Sequence, residues 1–460
     1  MAYLEQIAPI TILLAVIAVV LRRLPRIELG HSDAFLRRRL TNWLPVGLLY
    51  AFLYMGRYNL TVSKDAFGSL MSNTDFGTIF GVGTAVYGTA FLINGPLTDR
   101  WGGKKALMVG ATGAILANLA MGYVAWSGVE SDLVFVFSIL YGANMYFQSF
   151  GAVAIVKINA PWFHVRERGV FGAIFGILIS LGVYFAYDWG GAIADNFETH
   201  WVFWVPACLL AIFLLIVGVH VSNTPGEAGL DDFDTADASS GDVGPSKSAV
   251  EVFRMMLSNP VIMTIAAIEF CSGFLRQAIM QWYKTIMKQT GLSADNFVYE
   301  NWGLLLCCAG IMGGVAAGVL SDRVFDSRRG PVAVLLYGLM LAGACLLSFV
   351  MGGPALGALV VFMSMAVIGV HGMLSGTASM DFGGRKNAGI AVGIIDGFVY
   401  AGTAVMSFTY GALLPSEAPA ASQLENYGAW PLAMIPPALL GLGLAWRIRK
   451  AKPKAAASKS

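Results

Sequence analysis

The chain has 460 residues, of which 57% are hydrophobic and 13% are charged. A soluble globular domain has about 25% charged residues, so this composition excludes an ordinary soluble protein and indicates a chain that crosses a lipid bilayer several times. The net charge of +2 says nothing about partners, and no patch of the kind that binds nucleic acid occurs. The five cysteines lie in apolar runs without metal-binding spacing, and no nucleotide-binding or catalytic motif is present. We therefore predict neither a cofactor nor an enzymatic activity.

The first apolar run covers residues 9–21 and is followed at once by Arg22, Arg23 and Arg26. A signal peptide has the reverse order, with its positive charges before the apolar core. We predict an uncleaved additional transmembrane helix whose N-terminus lies outside the cell, followed by a basic cytoplasmic loop that ends at residue 42. This additional helix would offer a surface for a membrane partner.

Twelve further apolar segments of membrane-spanning length follow. Their predicted limits are 43–64, 76–99, 104–126, 132–159, 168–188, 201–221, 260–285, 298–321, 331–351, 355–380, 387–412 and 428–447. Residues 43–221 and 260–447 thus form two halves of six helices each. The Asp-, Gly- and Ser-rich residues 222–259 predict a flexible cytoplasmic linker with a short surface helix near 249–257, and residues 448–460 form a basic cytoplasmic tail that contacts anionic lipid headgroups.

The 30 Lys and Arg residues divide unequally between the two sides of this layout. At the span ends predicted to lie outside there are only Lys64, Lys284 and Lys288, whereas the loops on the other side carry most of the remainder. Short loops rich in Lys and Arg face the cytoplasm. The distribution therefore predicts a multi-pass protein of the cell inner membrane, with its N-terminus outside and its C-terminus in the cytoplasm.

Two loops at matching positions of the halves share the pattern Gly-x-x-x-Asp-Arg followed by basic residues, at Asp99-Arg100 and at Asp322-Arg323. This duplicated loop resembles the signature of the major facilitator superfamily. The resemblance implies an all-α membrane protein with the major facilitator fold, two six-helix bundles, here with one extra N-terminal transmembrane helix. It also implies that Asp99, Arg100, Asp322 and Arg323 act in gating at the cytoplasmic face.

Two arginines lie near the middle of apolar spans, Arg57 in the first main span and Arg276 in the seventh. A charge at that depth is costly unless it faces a partner or a polar cavity, and a planar guanidinium suits bidentate binding of an anion. Tyr50, Tyr54 and Arg57 share one helix face, because they are spaced at i, i+4 and i+7. The two arginines thus predict one central anion site. The alternatives are structural ion pairs, for which Glu269 is the candidate partner of Arg276.

Within the superfamily, the chain resembles the organophosphate:phosphate antiporters, the group of the glycerol-3-phosphate and hexose-phosphate transporters. The resemblance covers all twelve main spans, and its residues include Tyr50-x-x-x-Tyr54-x-x-Arg57-x-Asn59, Phe274-Leu-Arg276, Pro161-Trp162-Phe163, Lys386-Asn-Ala-Gly389 and Gly397-Phe-Val-Tyr400. It implies that Arg57 and Arg276 bind a phosphate group and that Tyr50, Tyr54, Tyr87 and Tyr400 line the site. The chain departs from the glycerol-phosphate exchangers at Phe91, Ile179 and His371, which stand where those exchangers have a lysine, a histidine and a tyrosine.

Three further titratable residues lie inside the spans. Glu269 and Asp396 are intramembrane carboxylates, which serve either as proton carriers or as counter-ions of the arginines. His371 aligns with a site position of the resembling family, and its ionisation near neutral pH would make transport sensitive to pH. A packing role for His371 is the alternative.

Together these features predict a secondary active transporter. It would move a small organic phosphate, of sugar-phosphate or glycerol-phosphate type, across the inner membrane by alternating access, in exchange for inorganic phosphate. The alternative within the same fold is a proton-coupled organic-anion symporter. The alternative of another class is a membrane-embedded receptor that senses a sugar phosphate.

Overall fold

The computed structural model describes residues 29–128, 132–164, 167–235, 249–325, 328–378 and 388–450, together with the single residues Thr11, Ala15 and Val19. Within these residues the chain forms helices and no β-strand. The predicted additional helix at residues 9–21 and the basic tail beyond residue 450 lie outside the described residues, apart from those three positions.

Twelve long helices account for most of the described chain. They are α1 (Asp33–Phe67), α2 (Asn73–Trp101), α3 (Gly103–Ser127), α4 (Leu133–Asn159), α5 (Arg168–Tyr184), α6 (Trp201–His220), α7 (Pro260–Gln289), α8 (Trp302–Val319), α9 (Arg329–Val350), α10 (Leu356–His371), α11 (Ala388–Leu413) and α12 (Ile435–Ile448). Ten helical segments of the described chain are long and apolar enough to cross a membrane, and α1 and α11 are the further two long helices. A short helix at Ala249–Leu257 has the limits of the predicted surface helix.

Three of the long helices continue through a π-helical turn. These turns are Phe185–Trp189 after α5, Leu320–Val324 after α8 and Gly372–Ala378 after α10. A π-turn inserts an extra residue into the helical ladder and is frequent at functional sites. The apolar pattern of the sequence does not distinguish such a turn from regular helix: the predicted span 355–380 includes the third turn, and the predicted spans 168–188 and 298–321 end within the first two.

The first main helix begins at Asp33, rather than at the predicted residue 43. Ser32 caps it, because its hydroxyl oxygen accepts a hydrogen bond from the backbone N–H of Phe35 at 3.2 Å. Arg37, Arg38 and Arg39, which we predicted to lie in a loop, are therefore helical. Arg39 forms a bidentate ion pair with Glu167, with both oxygens 2.9 Å from Nη1, which ties this turn to the start of α5.

The first part of the predicted flexible linker is folded against the first bundle. The Phe233 ring packs against His31 and Phe35 with centroid distances of 4.8 and 5.4 Å. The backbone N–H of Gly226 donates to the Asp232 carboxylate at 2.7 Å. Residues 222–235 therefore pack against the first bundle instead of forming the predicted flexible linker, because Ala228, Leu230 and Phe233 contact the apolar cluster of Phe35, Trp162 and Phe163. Residues 236–248 lie outside the described residues.

The two halves contact each other mainly through α2 against α11 and α5 against α8. Glycines bring α2 and α11 into backbone contact: a Cβ at Gly77 would lie 2.7 Å from the Cα of Gly411, and one at Gly88 would lie 3.0 Å from the carbonyl oxygen of Gly397. Small residues permit such close helix approach within membranes. The interface between the halves, which includes α1 and α7, contains both central arginines.

Candidate anion site between the two halves

The two central arginines lie at the same height of the interface. Tyr58 follows Arg57, and Gln277 follows Arg276. These two residues contact each other, because the amide of Gln277 donates a 2.9 Å hydrogen bond to the hydroxyl of Tyr58. One turn further along, Thr61 of α1 is hydrogen-bonded to Gln281 of α7. Contacting turns of α1 and α7 thus carry Arg57 and Arg276 at one interface between the halves.

Arg57 is enclosed by tyrosines and only 1% exposed. Its Nη1 donates to the hydroxyl of Tyr400 at 2.7 Å, its Nη2 to the hydroxyl of Tyr87 at 3.0 Å, and its Nε to the amide oxygen of Gln148 at 3.0 Å. The guanidinium carbon also lies 4.4 Å from the ring centroid of Tyr54 and 4.5 Å from that of Tyr87. Hydroxyl oxygens and π-faces stabilise the cation without neutralising its charge.

Amide side chains behind Arg57 fix its orientation, and the sequence analysis did not identify them. Gln148 donates from its own NH₂ group to Asn144 at 3.0 Å, and Asn144 donates to the carbonyl oxygen of Gly56 at 2.8 Å. The hydroxyl of Tyr141 donates to the carbonyl oxygen of Arg57 at 2.8 Å. The sequence did contain a signal, since Asn144 and Gln148 are amides spaced at i, i+4 within an otherwise apolar span.

Arg276 has a different environment, although it occupies the matching place in the second half. Its side chain is partly exposed within the interface. Its Nε is buried and has no hydrogen-bond partner among the described residues, and the described ion pairs do not include it. The ion pair with Glu269 that we considered as an alternative is therefore not formed in this structure. The Arg276 guanidinium is available to an anion without the loss of an existing ion pair.

Glu269 pairs with His371 instead. One carboxylate oxygen lies 2.7 Å from His371 Nδ1, and the pair joins α7 to α10 within the second half. The Glu269 side chain is fully buried, and its other oxygen has no hydrogen-bond partner among the described residues. The third carboxylate candidate, Asp396 on α11, accepts a hydrogen bond from the hydroxyl of Ser375 in the π-turn after α10.

The remaining predicted site residues surround the same interface. The Tyr50 ring is 5% exposed and packs edge-on against the Tyr54 ring, with 5.3 Å between the centroids. Tyr54 therefore lies between Tyr50 and Arg57. Phe91, which stands where the glycerol-phosphate exchangers have a lysine, packs against Tyr87 at 5.0 Å. The consequence is that an aromatic ring, rather than a second cation, lies beside the Arg57 site.

The predicted gating residues lie together at one end of the helix bundle. We call it the Asp99 end; Asp188 lies at the opposite end. Asp99 forms an exposed ion pair with Lys157 at 2.7 Å, within the first half. Arg100 and Arg323 are exposed. Asp322 lies in the π-turn that follows α8.

The other end, which we call the Asp188 end, is closed by contacts between the halves. The carboxylate of Asp188, in the π-turn after α5, accepts hydrogen bonds from the backbone N–H groups of Gly303 and Leu304 at 2.7 and 2.9 Å. An acid from the first half therefore caps the N-terminus of α8 in the second half. The side chain of Asn73 donates to the carbonyl oxygen of Pro415 at 2.6 Å, which fastens α2 to the end of α11.

Comparison with known proteins agrees with this architecture. The family model described as Major Facilitator Superfamily matches residues 46–407. The chain belongs to the major facilitator superfamily. Two solved transporters share its fold: a bacterial homologue of the human lysosomal transporter Spinster, in an inward-facing and unoccupied conformation (TM-score 0.67, 11% identity, 92% of this chain and 98% of that one), and the nucleoside transporter NupG (TM-score 0.61, 14% identity, 89% and 98%).

Sequence relatives narrow the placement within the superfamily. The chain is 26% identical to the glycerol-3-phosphate transporter of Bacillus subtilis, over 83% of this chain and 89% of the relative. It is 26% identical to the phosphoglycerate transporter protein of Salmonella typhimurium, over 82% and 81%. It is also 22% identical to the membrane sensor protein UhpC of the same organism, over 81% and 84%. These relatives confirm the predicted placement among the organophosphate:phosphate antiporters.

Proposed function

We propose that this protein transports a small organic phosphate by alternating access and exchanges it for inorganic phosphate. The observation that carries the proposal is the pair of arginines on neighbouring turns of α1 and α7 at the interface, each without a carboxylate partner among the described residues. Two uncompensated guanidinium groups match the charge of a phosphate dianion, and each can donate two parallel hydrogen bonds to a pair of its oxygens. The names of the relatives support the same substrate class, since two of them are transporters of glycerol 3-phosphate and phosphoglycerate.

The conformational change follows from the contacts between the halves. In this structure Asp188 caps α8 across the interface, and the hydroxyl oxygen of Tyr400 in the second half accepts a hydrogen bond from Arg57 of the first. A phosphate that binds both arginines replaces this tyrosine contact, so the ligand has different affinities for states with different separations of the halves. Such a difference is the condition under which a ligand drives a conformational change. We assign Asp99, Arg100, Asp322 and Arg323 to gating at the opposite end.

The test is uptake of radiolabelled glycerol 3-phosphate into proteoliposomes loaded with inorganic phosphate. We expect uptake that depends on internal phosphate and is absent from liposomes without protein. Uptake that ignores internal phosphate would reject the exchange. Saturable binding of glycerol 3-phosphate by the purified protein without any uptake would favour the receptor alternative, which the similarity to a membrane sensor protein supports.

We also propose the orientation that the Lys and Arg distribution predicts, with an inner-membrane location and the C-terminus in the cytoplasm. In that orientation the closed Asp188 end faces outside. Impermeant thiol labelling of intact cells tests it with single cysteines at Ala2 and Ser458: labelling of Ala2→Cys with protection of Ser458→Cys is expected, and the reverse would overturn it. The role of the additional helix as a surface for a membrane partner stays part of this proposal.

A further inference from the structure

Asp396 is a carboxylate at the interface between the halves that has no positively charged partner in the part of the chain that the structure describes. It lies on α11 and accepts a hydrogen bond from the hydroxyl of Ser375. The described ion pairs do not include it, and its side chain is partly exposed. A carboxylate within a membrane-spanning helix is costly unless a cation or a polar cavity receives it, and it marks a candidate functional site.

Asp396 lies next to the anion site. It precedes Tyr400 by four residues on α11, roughly 6 Å along the helix axis, so the two share one helix face. The Tyr400 hydroxyl accepts a hydrogen bond from Arg57. The Asp396 carboxylate is also within electrostatic range of Arg276 and of Tyr87. A ligand whose phosphate binds the arginines would therefore have its remaining atoms close to Asp396.

Aromatic rings of α2 and α11 surround this place. The Phe91 ring centroid lies 5.0 Å from that of Tyr87 and 6.4 Å from that of Tyr400. A Cβ at Gly393, three residues before Asp396, would lie 3.9 Å from the Cβ of Phe91. Phe91 therefore packs beside the turn of α11 that carries the carboxylate, and it brings no charge. Aromatic rings bind ammonium ions through their faces, and a carboxylate beside them adds a counter-charge.

We propose that the substrate carries an ammonium group as well as a phosphate, and that Asp396 binds the ammonium group while Arg57 and Arg276 bind the phosphate; this inference rests on the proposed function. The substrate class is then the aminoalkyl phosphates, in which a short alkyl linker joins the two charged groups. A phosphate ester without a cation would bring negative charge toward the unpaired carboxylate, which repels it. An ammonium group beside Asp396 removes this repulsion and supplies the missing counter-charge.

The other charged groups near Asp396 leave this role open. Among the described residues they are His371, Glu269 and Arg276. His371 is hydrogen-bonded to Glu269 through its Nδ1, and Arg276 belongs to the phosphate site of the proposed function. A cation on the ligand is therefore the partner that this arrangement can accept.

The experiment compares two ligands that differ in charge and not in size. Phosphoethanolamine and propyl phosphate form such a pair, since the ammonium group of the first takes the place of a methyl group in the second. At about pH 8 both phosphates are dianions and the amine is protonated. We expect calorimetry on the purified protein to give an affinity about ten- to a hundredfold higher for phosphoethanolamine, which is the contribution of one charge-assisted hydrogen bond.

Variants assign the preference to one carboxylate. Asp396→Asn should lose the preference and keep the affinity for propyl phosphate, because the asparagine side chain can still accept the hydrogen bond from Ser375. Asp396→Ala makes the same test if the asparagine variant does not fold. Glu269→Gln is the matched control, since this carboxylate lies in the same half and is already bound to His371. It should keep the preference.

Equal affinities of the wild type for the two ligands would overturn the inference, and the proposed function would stand if glycerol 3-phosphate binds. A preference that survives in Asp396→Asn would also overturn it, as would a preference that Glu269→Gln loses to the same degree. If the wild type binds neither of these ligands nor glycerol 3-phosphate, the proposed function fails and this inference fails with it.

Discussion

Arg57 and Arg276 occupy matching places in the two halves, yet their surroundings differ. Arg57 is 1% exposed, and its guanidinium donates to two phenol hydroxyls and one amide. Arg276 is partly exposed, and its buried Nε has no partner among the described residues. Arg57 is thus part of a hydrogen-bonded network in the first half, whereas the Nε of Arg276 in the second half has no hydrogen-bond partner among the described residues. If the proposed function is correct, we expect an anion to bind Arg276 first and to reach Arg57 only after the hydrogen bonds to Tyr87 and Tyr400 break.

The largest effect should come from changing the arginines themselves. Arg276→Lys keeps the positive charge but removes the planar guanidinium group, which can donate two parallel hydrogen bonds to an anion. Charge-assisted hydrogen bonds contribute about 1.5–3 kcal/mol each. We therefore expect affinity for glycerol 3-phosphate to fall by about one to two powers of ten, with an unchanged melting temperature. Ligand binding by calorimetry and thermal unfolding of the same samples measure both quantities.

Arg57→Lys sharpens this comparison. It should lose affinity to a similar degree and should also lower the melting temperature, because the hydroxyls of Tyr87 and Tyr400 and the amide of Gln148 lose their common donor. If Arg276→Lys lowers the melting temperature as much as Arg57→Lys does, the two arginines contribute equally to stability, and Arg276 is as tightly held by its surroundings as Arg57.

The next effect separates the two phenols around Arg57. Tyr400→Phe removes a hydrogen bond between the halves, whereas Tyr87→Phe removes a similar one within the first half. A contact of about 1.5 kcal/mol shifts a two-state equilibrium by roughly tenfold. Tyr400→Phe should therefore speed labelling of a cysteine placed at the buried Ser63 near the Asp188 end about tenfold, in protein without native cysteines, and Tyr87→Phe should not. Equal labelling rates in the two variants would count against a role of Tyr400 in holding the halves together.

A smaller effect is expected at the Asp188 end. Asp188→Asn removes the charge that caps α8, and such caps contribute about 0.5–2 kcal/mol. If Arg57 is less exposed than Arg276 because the Asp188 end is closed, a variant that opens this end should make Arg57 more accessible to solvent. We expect a few-fold faster labelling at Ser63. Asp195→Asn is the control, because its pair with Lys288 is exposed and 3.9 Å long, and an equal response of both variants would remove Asp188 from the gate.

The smallest effect belongs to the Asp99 end. The Asp99–Lys157 pair has side-chain exposures of 55% and 45%, and exposed pairs contribute about 0.2–1 kcal/mol. Asp99→Asn should slow exchange or shift the state populations modestly, and it should leave the affinity of both arginine sites within a few fold. A large loss of affinity with unchanged state populations would give this loop a role other than gating.

The sequence alone predicted the twelve main helices, the division into halves and the two arginines at the centre. These features depend on local signals, namely runs of apolar residues of bilayer length, a duplicated loop, and charges that are costly in lipid unless a cavity receives them. The tyrosines around Arg57 were also predicted from the sequence, by helical spacing for Tyr54 and by family resemblance for Tyr87 and Tyr400, whereas the predicted Tyr50 contacts Tyr54 and not Arg57.

Only the tertiary structure decided which groups pair with each other. Glu269 has Arg276 seven residues away on its own helix and His371 on another, and helix spacing favoured the arginine. The packing of α7 against α10 brings His371 within 2.7 Å instead, and Arg276 has no carboxylate partner in the part of the chain that the structure describes. The same holds for Gln148 and Asp188, whose partners Arg57 and Gly303 come from other helices. Spacing along one helix determines which side chains share a face, but contacts between helices depend on how those helices pack.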